Sequence, residues 1–316
     1  MDSIQHLVQH IYSKYKDTIV CSDISQNIWN ECIDGRWFNI DSGYTMYRII
    51  DDLIKSPDSV ECEINKIKDY HFRHRIFNRA AELLLNPTFE EQLDTDRQFL
   101  GFNNGVFDLT TKTLRALEPW MKISMNTRYD YQEYSRDDSA VFELTQFIRR
   151  VLPDKDNRIR FWKVCASFCN LCDLNSTEMI IWSGIDTIGK SRLMHLIERT
   201  FGDYYALIDT GSFKNPDLLL QFLLTTQSKK RCVFLEGVTE RLLIKMAEYN
   251  DLSIKYQTEP RYKLINMLYS QEYNIKGELT TVVSFNEGFD WTTDVDYDRW
   301  KKPLMWLLIN GETVID

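Results

Sequence analysis

The spacing of apolar residues changes along the chain, and the changes divide it. Over residues 1–60 short helical patterns mix with a hairpin around Gly35-Arg36-Trp37-Phe38-Asn39-Ile40, entered through the turn-prone pair Asp34-Gly35. Over 61–95 Ile64, Ile67, Phe72, Ile76 and Ala80 or Ala81 recur at helical intervals, and Asn86-Pro87 closes the stretch. Over 98–132 Phe99, Leu100, Phe102, Val106, Phe107 and Leu109 sit among Asn103-Asn104-Gly105 and Thr110-Thr111-Lys112, which predicts short strands and tight turns. Asp137-Asp138-Ser139 caps a helix beginning near Ala140, and helices are expected over about 140–152 and 157–173. Beyond 173 the pattern alternates. Strands are predicted at Met179–Trp182, Tyr205–Ile208, Cys232–Leu235, Thr281–Phe285 and Met305–Ile309, with a helix from Ser191 to about Thr200. Strands alternating with helices imply an α/β fold with a mostly parallel sheet. The predicted organisation is an α+β domain over 1–135, a helical segment over 136–175 and an α/β core over 176–316.

One segment carries a specific chemistry. Gly184-Ile185-Asp186-Thr187-Ile188-Gly189-Lys190-Ser191 fits the phosphate-loop pattern G-x-x-x-x-G-K-[ST] between a predicted strand and a predicted helix. Backbone N–H groups of such a loop, with the helix N-terminus, cradle anionic oxygens. Lys190 is positioned for the β- and γ-phosphates of ATP, and the Ser191 hydroxyl for Mg²⁺. The four residues between the glycines include neither glycine nor asparagine. β-Branched Ile185, Thr187 and Ile188 resist positive φ, and Asp186 places a negative charge near a polyphosphate, so weak nucleotide affinity is expected.

Three downstream features suit a triphosphatase. Lys230-Arg231-Cys232-Val233-Phe234-Leu235-Glu236 is an apolar strand ending in a carboxylate, where open α/β sheets hold ligands and where Mg²⁺ needs a partner. Thr281-Val282-Val283-Ser284-Phe285 ends in Asn286, an amide able to orient water, although Asn also commonly begins a turn. Arg299, within Asp294–Lys302, suits an arginine finger reaching a neighbouring subunit's nucleotide, and a solvated charge cluster explains the same spacing.

Composition narrows the choice. The 316 residues are 43% hydrophobic and 27% charged, which is ordinary for a globular chain with real cores. The net charge of −9 argues against a protein that coats nucleic acid over its whole surface, and leaves room for a local basic groove or a ring lining. There is no secretory leader pattern and no apolar run of the roughly 18 residues a membrane span needs. The seven cysteines are read as reduced thiols, which places the protein in the cytoplasm, at the host-cell replication site if it is viral.

The loop, Glu236, Asn286 and Arg299, in that order, resemble the superfamily 3 helicases of the AAA+ ATPases, in particular the primase-helicase NTPases of poxviruses and other large DNA viruses. Asn104-Gly105-Val106-Phe107-Asp108-Leu109-Thr110-Thr111 is similar to a signature in the domain before that family's ATPase. Residues 140–175 are similar to the helical segment before its phosphate loop. The resemblance implies a homo-hexameric ring that burns ATP to translocate on single-stranded DNA, working with a separate primase or other replication proteins and without a membrane. It implies ATP bound by Lys190, Ser191, Glu236 and Asn286 of one subunit and Arg299 of the next. It also places a DNA-gripping hairpin at Tyr273–Gly277, with Lys276 on a phosphate, and an intermediate motif over Lys245–Lys263 with Asn250-Asp251 where the family has Gly-Asp. Ile188 stands where these helicases carry Asn, the chain ends soon after Arg299, and no primase module is visible, so the helicase part alone is expected.

Two other patterns compete for attention. Cys165-x3-Cys169-x2-Cys172 has an iron–sulfur spacing, and it is also a helical i, i+4, i+7 stripe with Phe161 and Phe168. The core reading explains it better. Tyr70-His71-Phe72-Arg73-His74-Arg75-Ile76-Phe77-Asn78-Arg79 mixes bases and rings, as single-strand binders do. An amphipathic helix with a basic solvent face accounts for Phe72 and Ile76 more simply, and His71 and His74 lack partners for a zinc site. Two further functions fit less of the chain. One is a helicase-like scaffold for replication or assembly with weak or lost turnover. The other is a small-molecule kinase, for which downstream lid arginines are missing.

Overall fold

The computed structural model describes residues 3–40, 43–55, 69–169, 179–184, 189–213, 218–219, 222, 229–237, 281–286 and 304–308. Two compact units divide the chain. One comprises 1–101 and 114–124, the other 102–113 and 125–316.

The first unit is built on an antiparallel sheet, β1 (Ile19–Asp23), β2 (Ile28–Ile33) and β3 (Arg36–Ile40). The expected hairpin is present, and β1 adds a third strand that the sequence reading did not separate. Asp34 and Gly35 form the β2–β3 turn with φ of 50° and 82°, as a tight right-twisted hairpin requires. A Cβ on Gly35 would lie 2.3 Å from the Leu117 carbonyl oxygen, so only glycine fits. Trp37 explains that approach. Its backbone N–H donates to Ile123 O and its indole N–H to Pro119 O, which draws segment 114–124 onto β3.

Helices α1 (Ser3–Tyr15), α2 (Tyr44–Lys55) and α3 (Tyr70–Leu83) supply the other layer. Phe72, Ile76, Phe77, Ala80 and Ala81 of α3 form the apolar stripe and meet Ile11, Ile19, Trp29, Met46 and Ile50 in one core. Asp69 begins α3 by accepting from Phe72 N. The helix ends three residues before Asn86-Pro87, and a short α4 (Phe89–Gln92) follows. The helical expectation over 61–95 thus holds for its described middle, and 56–68 lie outside the described residues.

Strands β4 (Phe99–Phe102), β5 (Gly105–Asp108) and β6 (Thr113–Arg115) make a second small sheet, matching the predicted strands and turns. Next come α5 (Ser139–Val151) and α6 (Lys155–Phe168). The Asp138 carboxylate accepts from Ser135 N rather than from the helix, whereas Asp154 caps α6 by accepting from Asn157 N. Predicted to run to 173, α6 stops at Phe168, with Cys169 as its cap.

The second unit holds a five-stranded parallel sheet of β7 (Met179–Gly184), β8 (Tyr205–Asp209), β9 (Cys232–Glu236), β10 (Thr281–Asn286) and β11 (Leu304–Leu308). All five appear where the apolar runs predicted strands. Their spatial order is β11-β7-β10-β9-β8, and every neighbouring pair is parallel. From β7 the chain runs out to the β8 edge, steps back through β9 and β10, and crosses β7 to reach β11. The sheet therefore reverses direction at β7, and such switch points create crevices at the carboxyl ends of strands. Helix α7 (Lys190–Phe201) follows β7 and ends at Gly202.

Segment 125–131 is pinned to the turn after α7. Asp203 N donates to Asn126 O, and the Asp203 carboxylate accepts from Asn126 N and from Arg128 Nε at 2.8 Å. A Cβ on Gly202, whose φ is 51°, would strike the Thr127 backbone at 2.6 Å. Behind β9, Phe168 of α6 meets Phe201 at 5.5 Å and Phe234 at 6.5 Å. Buried Arg231 donates to the Phe168 carbonyl oxygen and lies over the Tyr204 ring. Among the described residues no helix is long and apolar enough to cross a membrane.

Candidate nucleotide site

Four neighbouring parallel strands end in polar or glycine residues at one edge of the sheet. Gly184 ends β7, and Asn286, ending β10, is its register partner. Val283 pairs with Ile181 on one side and with Leu235 on the other. Glu236 follows Leu235, so it stands level with Ser284, two residues or about 6.6 Å short of Gly184 at ~3.3 Å per residue. Asp209 of β8 is the register partner of Glu236. The backbone of this edge thus brings together Gly184, Asn286 and Glu236, which the sequence assigned to one site.

The loop's second half is set by α7. Gly189 precedes the helix with φ 102°, in the left-handed region open to glycine. A Cβ there would meet both Val151 methyls at 3.0 Å, so the last residue of α5 closes on the loop. Lys190, the first helical residue, is only 6% exposed, whereas Ser191 is exposed. A glycine turn and a buried lysine at the N-terminus of the helix that follows a parallel strand fit a polyphosphate. Ser191 and Glu236 offer the hard oxygen ligands that Mg²⁺ takes.

Residues 232–235 are buried and Glu236 is exposed. Its carboxylate enters no hydrogen bond or ion pair among the described residues. Asp209 behaves differently. It accepts from Gly211 N at 2.9 Å and Ser212 Oγ at 3.1 Å, and Thr210 Oγ1 donates to Glu236 O at 3.0 Å. The sequence reading did not single out Asp209. Its signal is the one that marked Glu236, an apolar strand closing on a carboxylate. Val151 carried no signal, because its role is steric. Ile185, Asp186, Thr187, Ile188, Lys276, Arg299, the hairpin over 273–277 and the stretch 245–263 lie outside the described residues.

Two motif residues outside the edge are structural. Asn104 donates from Nδ2 to Tyr131 O and accepts Tyr131 N on Oδ1, a mutual clasp. Asp108 is 1% exposed and accepts from Thr110 N and Thr111 N, shaping the turn in which Lys112 takes φ 57°. The signature around Asn104–Thr111 therefore builds a turn and anchors a strip. The cysteine stripe is also structural. Burial pushes the Cys165 thiol up to about 12 and raises Cys169 as well. No group of three metal-ligating side chains occurs among the described residues, and Cys172 lies outside them.

The parallel sheet and its polar edge define a mixed α/β protein with a candidate phosphate site. Comparison with known proteins adds the lineage. Residues 8–156 match the family described as D5 N terminal like. Over 238 residues the chain is 29% identical to a putative helicase of Acanthamoeba polyphaga mimivirus, covering 66% of this chain and 25% of that protein. It is 28% identical over 148 residues to a putative helicase of Invertebrate iridescent virus 3, covering 46% of this chain and 15% of the relative. A putative primase of African swine fever virus is 27% identical over 146 residues, covering 45% and 15%. The chain spans a quarter or less of the length of these curated relatives. Among solved structures, the A form apo structure of the NrS-1 C terminal region aligns at TM-score 0.45 and 12% identity, covering 98% of this chain and 62% of that one. The chain resembles the helicase and primase proteins of large DNA viruses, as its motifs led us to expect.

Proposed function

We propose that this chain is the NTPase part of a viral replication helicase of the superfamily 3, AAA+ type, which hydrolyses ATP to translocate on single-stranded DNA. One observation carries the reading. The pattern Gly184-x4-Gly189-Lys190-Ser191 joins the switch-point strand β7 to α7, with Asn286 in register with Gly184 and Glu236 on the next strand. The named relatives support the helicase assignment.

In this reading the loop from Gly184 to Gly189, with Ile185, Asp186, Thr187 and Ile188 between, wraps the phosphates by backbone N–H groups. Lys190 offsets the charge on the β- and γ-phosphates, while Ser191 and Glu236 hold Mg²⁺. Bound Mg²⁺ neutralises charge that develops on the phosphate oxygens. Asn286 orients the attacking water. Arg299 reaches the nucleotide of a neighbouring copy, which requires a ring, here a homo-hexamer. Lys276 grips a DNA phosphate.

The test is ATP hydrolysis with and without single-stranded DNA, for wild type and Lys190→Ala, with light scattering for the assembly. DNA-stimulated hydrolysis that Lys190→Ala abolishes supports the motor. Equal rates in both proteins sink it. Retained assembly without turnover supports a second reading, a helicase-like scaffold. That reading is favoured by the absence of glycine and asparagine among residues 185–188 and by Asp186 beside the phosphates.

A further inference from the structure

Helix α3 buries one face completely, and that leaves its other face unexplained. Phe72, Ile76 and Phe77 fill the core as the amphipathic reading predicts. Phe77 stacks on Tyr47 at 4.6 Å with planes 12° apart. The same stack continues outward. His74 lies parallel to Phe77, 3° between planes at 6.4 Å, and Tyr70 lies parallel to His74, 5° between planes at 6.0 Å. Four rings, Tyr47, Phe77, His74 and Tyr70, form a ladder that begins in the core and ends in solvent. Tyr70 at its tip is 68% exposed. Core packing explains the inner two rings and not the outer two.

The charges around the ladder favour an anion. Arg73 pairs with Asp51 and Arg79 with Glu82, and Asp69 is used as the helix cap. The exposed Arg75 guanidinium lies 5.5 Å over the Phe72 ring, and no carboxylate pairs with it among the described residues. The face thus carries His71, His74, Arg75 and Arg79 on a chain whose net charge is −9. Exposed rings in parallel, flanked by guanidinium groups, are what an unpaired base and its phosphate require. An acidic protein surface would use the arginines and leave the ordered rings without a role.

We propose that the outer face of α3 binds single-stranded nucleic acid, a base stacking on Tyr70 and His74 while Arg75 meets the backbone phosphate. The site lies within the first unit and does not depend on nucleotide hydrolysis by the second. The test uses the full chain without nucleotide and a fluorescent oligothymidylate. Tyr70→Ala and His74→Ala weaken binding by about tenfold each, since stacking of one base on one ring is worth that much. Tyr70→Phe keeps wild-type affinity, because the ring face remains. Arg75→Ala lowers the salt dependence by the equivalent of about one phosphate contact. Crosslinking with an iodouridine-substituted strand joins the peptide holding residues 70–79. Wild-type affinity in Tyr70→Ala and His74→Ala, or crosslinks only elsewhere, overturns the proposal. So does equal competition by polyglutamate, which points to an acidic protein partner instead.

Discussion

The antiparallel sheet of the first unit and the parallel sheet of the second treat their polar side chains in opposite ways. In the first, buried polar groups satisfy one another. Asn30 donates to Ser22, Ser22 donates to Glu90, and Thr45 donates to Glu31. Among the described residues one such atom, Arg73 Nε, is left without a partner, and such cases are few because an unpaired buried polar group costs about 1–3 kcal/mol. In the second, the strand ends hold a glycine and an amide in register and an exposed carboxylate two residues short of them, with a buried lysine opening the adjacent helix. Parallel strands all end on one side, so each adjacent strand can contribute a residue to the same edge. Antiparallel strands alternate their ends and build no such edge. On the proposed function, the contrast separates groups that hold the fold from groups gathered at one sheet edge.

Substitution at Lys190 is the strongest way to break this contrast. Lys190→Ala should lower ATP hydrolysis by about a hundredfold or more, the loss typical of removing one charge-stabilising group. Thermal unfolding should show a far smaller change. A variant that unfolds but, once refolded, hydrolyses normally would put Lys190 with the structural groups. Glu236→Gln should behave similarly, since its exposed carboxylate leaves little stability to lose.

Two glycines sharpen the comparison at the next level. Gly35→Ala should destabilise the first unit by about 3 kcal/mol, combining a strained φ with a backbone clash. Urea unfolding measures this, and a midpoint unchanged from wild type would show that segment 114–124 yields. Gly189→Ala meets only methyl groups at 3.0 Å, so its stability loss should be smaller and its loss of hydrolysis larger. The ratio of the two effects should invert between the two positions.

What the sequence revealed follows the same division. All five parallel strands were legible as short apolar runs, and β9, buried from Cys232 to Leu235, shows why a strand covered on both faces reads that way. The Asp34-Gly35 turn was legible, because tight hairpins demand residues that accept positive φ. β1 was not, because Ile-Val-Cys-Ser-Asp is short and shows no alternation, and its pairing with β2 is a long-range choice. At the edge, residue type and strand end pointed to Glu236 and Asn286. Val151 gave no sign, since a methyl group closing on a glycine is a property of packing. The signature Asn104–Thr111 was legible as a motif, but sequence alone could not show that Asn104 and Asp108 spend their polar atoms on the backbone. Asp108→Ala tests that assignment. It should cost about 2 kcal/mol by leaving two N–H groups unpaired, with hydrolysis per folded molecule unchanged.

The smallest effect at neutral pH belongs to the thiols, and it ranks the two units. Burial pushes Cys21 and Cys32 of the first unit up to about 11 and Cys165 of the second up to about 12, and it holds the Cys232 thiol well above its ordinary value. Each folded thiol is harder to ionise than its unfolded counterpart, whose pKa is ~8.5. Below that value both states are neutral and the thiols contribute no pH dependence. As pH rises above it, the unfolded state loses protons first and stability declines, until each folded thiol ionises in turn. Among the described residues the second unit holds three raised thiols, Cys165, Cys169 and Cys232, against Cys21 and Cys32 in the first, so it should lose more stability between pH 8 and pH 10.5. Urea unfolding at the two pH values, followed by Trp37 fluorescence for the first unit and by ATP hydrolysis for the second, measures the difference. Cys232→Ala should flatten the second unit's decline while leaving a cavity cost that is the same at both pH values. An unchanged slope in that variant would mean that the buried thiol on β9 contributes nothing to alkaline sensitivity.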